Sequence, residues 1–139
     1  MLLSKEKTAD IIPQKVPFVM IDSLTSVNED SFISSFIVNK ENIFFKNEKL
    51  QEPALIENIA QTVAAGFSYV GQQEGGEPKI GFIGAISKLK IHQLPSIGDE
   101  IITTVTQLHQ FENIYLIKGK NYVGNSLLVE CEMKIVVGV

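Results

Sequence analysis

Glu57 and Gln61 are the two residues whose side-chain types and spacing best suit a catalytic site in this sequence, as a carboxylate and an amide that can orient it. Residues four apart on a helix share a face, so Gln61 can orient the Glu57 carboxylate through a hydrogen bond. The surrounding residues are mostly apolar, and a carboxylate there is costly unless a reaction or a hydrogen bond uses it. We therefore predict a functional Glu57. The structural alternative is a carboxylate stabilised by free N–H groups at the helix start, with Gln61 bonded to the backbone of the sheet.

The remaining candidates for acid–base, thiol or metal chemistry are weaker. His92 and His109 fall on predicted strands or their edges, where a histidine is more often structural or exposed than catalytic. The single cysteine, Cys131, cannot form a disulfide within the chain, so we expect a reducing compartment, the cytoplasm. The sequence contains no metal-ligand spacing and no glycine-rich loop that leads from a strand into a helix. We expect neither a metal nor another cofactor.

Length and charge restrict the class of protein. The 139 residues suffice for one domain with its own core, and we predict a single domain over 1–139. The twelve basic residues are all lysines and the formal net charge is −4. A negatively charged chain without arginine is a poor partner for nucleic acid. No segment reaches the roughly 18 apolar residues of a membrane span, so we expect no membrane partner.

Periodicity predicts the elements that position these residues. Apolar residues recur at helical spacing over 53–73, Pro53 suits the first position, and Gly71, Gly75 and Gly76 supply a stop, which predicts one long helix. Residues 18–27 and 30–38 predict two strands before it, and four more strands are predicted over 79–91, 100–111, 113–123 and 126–137. Alternation in the last segment indicates one core face and one solvent face. The order predicts an α+β fold, in which an antiparallel sheet of about six strands wraps around the helix.

Three stretches of the sequence resemble one enzyme family. IIPQKVPFVMID is similar to the opening Leu-Pro-His-x-x-Pro-Phe of the 3-hydroxyacyl-[acyl-carrier-protein] dehydratases, and PALIENIAQT carries their helix motif Glu-x-x-Ala-Gln as Glu57, Ala60 and Gln61. GFIGAISKLKIHQLPSIGDEI resembles their third strand and the turn after it. The resemblance implies the hot-dog fold and dimers that pair through the third strand, here 79–91. It also implies that Glu57 is the acid that protonates the leaving hydroxyl group.

The sequence departs from this family at the catalytic base. The family places a histidine after a Phe-Phe pair, but here the stretch reads FFKNEKLQEP, with Glu48 where the histidine belongs. Glu48 can replace the histidine as a base, or it can be part of an ordinary solvated loop. The histidine of the opening motif is also absent, because Gln14 occupies its position. These departures resemble a divergent group of dehydratase homologues from aryl-polyene pigment synthesis.

The resemblance also implies binding residues. We expect an acyl thioester to contact Phe45, Pro53, Ala54, Ile56, Ala60, Phe82 and Gly84. The apolar stripe of the helix can line an acyl tunnel or simply fill the core. Lys88 and Lys90 alternate on one strand, where they can bind an acidic acyl carrier protein or keep a strand edge soluble.

Three functions stay open at this point. The first is a dehydratase-like protein that handles 3-hydroxyacyl thioesters on acyl carrier protein, in fatty-acid or polyene-type synthesis, as an active enzyme or as a catalytically degenerate partner subunit. The second is an acyl thioesterase that uses Glu57. The third is a non-catalytic acyl-binding protein. The expected partners are acyl carrier protein or an acyl-coenzyme A thioester, and either a second copy or another hot-dog subunit paired through the third strand.

Overall fold

The computed structural model describes residues 2–75 and 81–138. In these ranges the chain forms two helices, α1 (Lys5–Asp10) and α2 (Glu52–Gln73). The strands are β1 (Ser23–Val27), β2 (Ser31–Ile37), β3 (Phe45–Lys46), β4 (Lys49–Leu50), β5 (Gly81–Ile91), β6 (Glu100–Phe111), β7 (Ile114–Val123) and β8 (Ser126–Val137). Within the described residues, neither helix has the length and hydropathy that crossing a bilayer requires.

Six of the strands form one antiparallel sheet in the order β1-β2-β6-β7-β8-β5. Helix α2 contacts all six strands, so the sheet wraps around it. The α+β architecture with one central helix, the hot-dog fold that the sequence predicts, is therefore confirmed. Strands β3 and β4 form a separate two-stranded hairpin just before α2.

Helix α2 agrees with the predicted range 53–73 to within one residue. Pro53 lies in its first turn, where no intrahelical hydrogen bond is lost, and Gly75 follows the helix with φ of +78°. The third glycine of the predicted stop, Gly76, lies outside the described residues. The helix is buried on most of its surface, and Phe32 of β2 packs directly on Gly66, where a side chain would meet the phenyl ring.

The core is formed between α2 and the concave face of the sheet. On β8 the inward residues Val129, Cys131, Met133 and Ile135 are buried, which agrees with the predicted alternation. Leu128, assigned by that alternation to the solvent face, is buried as well. Ile59 and Val63 of α2 pack against this inward row and join the helix to the sheet.

The strand predicted over 18–27 is wrong in its first half, because only Ser23–Val27 is a strand. The backbone N–H of Met20 and the carbonyl groups of Phe18 and Met20 bond to side chains of α2 instead of to a neighbouring strand. The predicted strand begins in a turn, where the N–H of Phe18 bonds to the carbonyl of Lys15, and apolar residues in such a segment give the same sequence pattern as a strand. The hairpin of β3 and β4 is not predicted. Its turn residues Asn47 and Glu48 both have positive φ, as a tight hairpin requires.

Strand β5 begins at Gly81, and the first residues of the predicted strand 79–91, Lys79 and Ile80, lie outside the described residues. It is an edge strand that pairs only with β8 in the described chain. Its residues Ile83, Ile86 and Ile91 stand opposite buried residues of β8, yet they are 39%, 40% and 47% exposed. An edge with apolar residues on its core-facing side is typical of a surface that another chain covers.

Candidate functional site

Glu57 is held in the second turn of α2 by the side chain of Gln61. The Gln61 Nε2 atom donates a hydrogen bond of 2.9 Å to Oε1 of Glu57. The same Nε2 atom donates to the carbonyl of Phe18 at 2.9 Å, and Gln61 Oε1 accepts from the N–H of Met20 at 2.6 Å. Gln61 is completely buried. It therefore makes both contacts considered from the sequence, one to Glu57 and one to the backbone that leads into the sheet.

Asn58, the neighbour of Glu57, fixes the same backbone segment from a second position. Its Nδ2 atom donates to the carbonyl of Met20 at 2.6 Å, and its Oδ1 atom accepts a hydrogen bond from Thr103 of β6. Asn58 is fully buried, so these bonds form out of contact with water. Helix α2, strand β6 and the segment before β1 are thereby joined next to Glu57.

Glu57 faces a cavity of about 220 Å³ between α2 and the start of the edge strand β5. The cavity contains two polar side chains, Gln14 and Glu57, among the described lining residues. The others are Ala60, Val63, Ala64, Phe67, Gly81, Phe82, Ile83, Ile135 and Val137. An apolar cavity with a few polar groups suits an apolar ligand that is oriented by one polar end.

Two of the residues expected to contact an acyl group, Ala60 and Phe82, line this cavity. The other five do not. Ala54 is buried in the core, while Phe45 and Ile56 pack against core clusters. Pro53 is exposed at the helix start, and Gly84 lies further along β5.

Glu48, the expected substitute for the histidine, lies away from the cavity. It is an exposed residue in the turn between β3 and β4, with φ of +64°, and it is not a lining residue. A carboxylate base must reach the substrate proton directly or through one water molecule. The geometry of a single subunit therefore gives no support to Glu48 as a base beside Glu57.

The two histidines also lie outside the cavity lining. His92 follows β5, and its Nε2 atom is 2.9 Å from Oε2 of Glu130. The hydrogen bond from His92 lowers the pKa of the Glu130 carboxyl. His109 is exposed on β6.

The two lysines expected to bind a carrier protein are both exposed on β5. Lys88 forms an ion pair of 3.3 Å with Glu132. Lys90 stands opposite Glu130 on β8 and contributes to lowering the pKa of that carboxyl. Lys118 and Lys120 of β7 stand opposite Glu132 and Glu130 in the sheet register, on the other side of β8. Four lysines thus surround two carboxylates on the outer face of the sheet, a group we call the lysine row.

Sequence reasoning assigns no functional role to Gln14 or Asn58. A signal for Asn58 exists, because a buried amide in an apolar helix needs a partner. Gln14 was recognised only as a departure from the histidine of the opening motif. Its proximity to Glu57 depends on how residues 11–22 cross α2, which periodicity does not determine.

Comparison with known proteins gives one family match over almost the whole chain. The profile of the ApeP-like family, described as ApeP dehydratase, matches residues 6–137. The 3-hydroxyacyl-[acyl-carrier-protein] dehydratase FabZ of Wolinella succinogenes is 27% identical over 146 aligned positions, covering 99% of this chain and 97% of that protein. The FabZ of Desulfotalea psychrophila is 25% identical, covering 89% of this chain and 86% of that protein.

Solved structures agree on the fold. A chain of the dehydratase heterocomplex ApeI:P from Xenorhabdus doucetiae superposes with a TM-score of 0.88 at 14% identity, covering 100% of this chain and 93% of that chain. A hypothetical thioesterase with coenzyme A from Streptococcus pneumoniae superposes with a TM-score of 0.67 at 9% identity, covering 84% of each chain.

Proposed function

Because the chain belongs to the ApeP-like dehydratase family, we propose that it is a subunit of a dehydratase that removes water from 3-hydroxyacyl thioesters on an acyl carrier protein. The FabZ relatives, which carry this activity in their names, support the substrate class. Fatty-acid or polyene-type chain building is the process that produces such thioesters. Glu57 is the residue that we assign to the chemistry.

The observation that carries this proposal is the position of Glu57 at an apolar cavity bounded by β5, an edge strand whose outer side pairs with no strand of the described chain. Gly81, Phe82 and Ile83, at the start of β5, line the cavity together with Glu57. A chain that pairs with β5 would therefore lie beside the acid. We propose that the site is completed at an interface between two hot-dog subunits.

Dehydration needs an acid and a base in defined positions. A base removes the proton from C2, the C3–O bond breaks as C2=C3 forms, and the proton from the Glu57 carboxyl turns the departing hydroxyl into water. Gln61 orients the acid through its bond to Oε1. The apolar lining formed by Ala60, Val63 and Phe67 holds the acyl chain along α2.

The base comes, in our proposal, from the partner subunit. Within the described residues neither His92 nor His109 lines the cavity, and Glu48 is exposed in a turn. A histidine-bearing hot-dog subunit paired along β5 would supply the missing group. The fold similarity to a chain of the ApeI:P dehydratase heterocomplex supports a partner of this kind.

The lysine row supports an acyl carrier protein as the donor of the substrate. Lys88, Lys90, Lys118 and Lys120 outnumber Glu130 and Glu132 on this part of the sheet, although the whole chain is negatively charged. A local positive surface attracts an acidic partner and increases its association rate. Burial raises the pKa of the lone thiol, Cys131, to about 11, so this thiol is unreactive, and we propose a reducing cytoplasm because one cysteine cannot form a disulfide within the chain.

The test is an assay of 3-hydroxyacyl carrier-protein thioesters with two readouts, enoyl absorbance and free thiol. The chain is assayed alone and mixed with a histidine-bearing hot-dog dehydratase of the same organism. We expect enoyl formation in the mixture and its loss when Glu57→Gln replaces the wild type. The mass of the oligomer should be the same in both mixtures.

Three results would contradict the proposal. Enoyl formation by the chain alone would remove the need for a partner. Thiol release that depends on Glu57 would make the protein a thioesterase. If neither enoyl absorbance nor free thiol appears and the thioester only raises the melting temperature, the protein is an acyl-binding protein without turnover.

A further inference from the structure

Gln14 is the second polar side chain in the Glu57 cavity. The backbone around it is fixed to α2 at two points. Ile11 and Ile12 are buried against Ala64 and Ala65 on one side of Gln14, and the carbonyl of Phe18 bonds to Gln61 on the other. The Gln14 side chain is thus held beside α2 by contacts that do not involve its own amide.

The Gln14 carboxamide has an unused acceptor. Its Oε1 atom is buried, and no described group donates a hydrogen bond to it. A buried carbonyl oxygen without a donor is unfavourable, so the site gains when a ligand provides an O–H or N–H group. Apart from Gln14 and Glu57, the nine lining residues have no side-chain O–H or N–H group that could donate to it.

We propose that Gln14 binds the 3-hydroxyl group of the substrate and makes the site selective for 3-hydroxyacyl chains. This inference rests on the proposed function and assigns a residue to one step of it. A hydroxyl has one donor and two acceptor positions. Its O–H donates to Oε1 of Gln14, while a lone pair of its oxygen takes the proton from Glu57. When the C3–O bond breaks, the product water has two O–H groups and keeps the bond to Gln14.

This arrangement predicts a specificity that an apolar tunnel alone does not provide. A chain that lacks the 3-hydroxyl leaves the buried oxygen of Gln14 without a donor, whereas a hydroxylated chain satisfies it. Sites built to bond a hydroxyl discriminate strongly against analogues without one. We expect the protein to bind a 3-hydroxyacyl chain at least about tenfold more tightly than a plain acyl chain of equal length.

The test uses stable amide analogues of 3-hydroxyacyl pantetheine and of plain acyl pantetheine, titrated by calorimetry into the full chain, alone and with its partner subunit. Gln14→Met keeps an unbranched side chain of similar size and removes the acceptor. Gln72→Met, at an exposed glutamine near the end of α2, is the matched control. We expect Gln14→Met to lose the preference for the hydroxyl and to bind the plain acyl analogue as the wild type does.

The other outcomes are distinct. A preference that survives in Gln14→Met would overturn the role of Gln14 while leaving the proposed function intact. Equal weakening of both analogues in Gln14→Met would make Gln14 a structural residue and would also overturn the inference. A wild-type protein that binds neither analogue, alone or with its partner, would overturn the proposed function and this inference with it.

Discussion

The Gln61 side chain donates a hydrogen bond of 2.9 Å to the Glu57 carboxylate from one helical turn away. The Gln61 side chain is held in this position by two further bonds. Its Nε2 atom also donates to the carbonyl of Phe18, and its Oε1 atom accepts from the N–H of Met20. The orientation of the Glu57 carboxylate is therefore coupled to the packing of the segment before β1. A residue that looks like a simple helix-face neighbour in the sequence serves both the fold and the site.

Replacing Gln61→Leu is expected to lower stability and turnover together. The buried N–H of Met20 loses its partner, which costs about 1–3 kcal/mol, whereas the carbonyl of Phe18, on an exposed residue, loses a bond that water can replace. Glu57 loses its fixed orientation, which lowers kcat by up to about 10²-fold. Urea unfolding and the enoyl assay measure the two effects. Gln93→Leu, at an exposed glutamine, is the control and should change stability by less than about 0.5 kcal/mol. An unchanged free energy of unfolding in Gln61→Leu would show that the hydrogen bonds of Gln61 do not stabilise the fold.

Gly119→Ala is expected to destabilise the protein by about 1–3 kcal/mol through overpacking. A Cβ atom at Gly119 of β7 would overlap Cγ2 of Ile59, so α2 and the sheet would have to separate. Gly84→Ala on β5 is the matched control, since its new Cβ atom would be 3.4 Å from Cγ2 of Val136. Thermal unfolding of the two variants distinguishes them. Equal melting temperatures would show that the contact between α2 and β7 is not tight.

Glu130→Gln is expected to change how the free energy of unfolding depends on pH in the acid range. The hydrogen bond from His92, aided by Lys90 and Lys120, lowers the pKa of Glu130 below its ordinary value of 4.5. A carboxyl group with a lowered pKa in the folded state stabilises the protein above 4.5, and this contribution disappears as the pH falls through the lowered value.

Urea unfolding of the wild type and Glu130→Gln across this acid range measures the difference. The advantage of the wild type should be constant near neutral pH and should fade in acid. Glu41→Gln, at an exposed carboxylate without a salt bridge in the described structure, is the control. A difference between the wild type and Glu130→Gln that is independent of pH would contradict the assignment.

The sequence was sufficient for the features that depend on local periodicity. The apolar spacing and Pro53 predict α2, and alternation predicts β8 and its inward row. The pairing of Glu57 with Gln61 follows from a spacing of four on one helix. The features that were missed depend on contacts between distant segments. Gln14 reaches the cavity because residues 11–22 cross α2, where side chains replace a strand as hydrogen-bond partners.

Ile86→Lys is expected to prevent assembly along β5. Ile86 stands opposite the buried Met133 but is 40% exposed, because no element of the described chain covers the edge strand. A lysine there would place a charge in the interface and weaken association by at least about 2 kcal/mol. Leu108→Lys is the matched control, since Leu108 is 48% exposed on β6, which already pairs with β2 and β7. Sedimentation should show a monomer only for Ile86→Lys. The enoyl signal should fall in the same variant, because we propose that the site is shared between two subunits. If both variants remain assembled, β5 is not the interface, and the proposal of a site completed along β5 is contradicted.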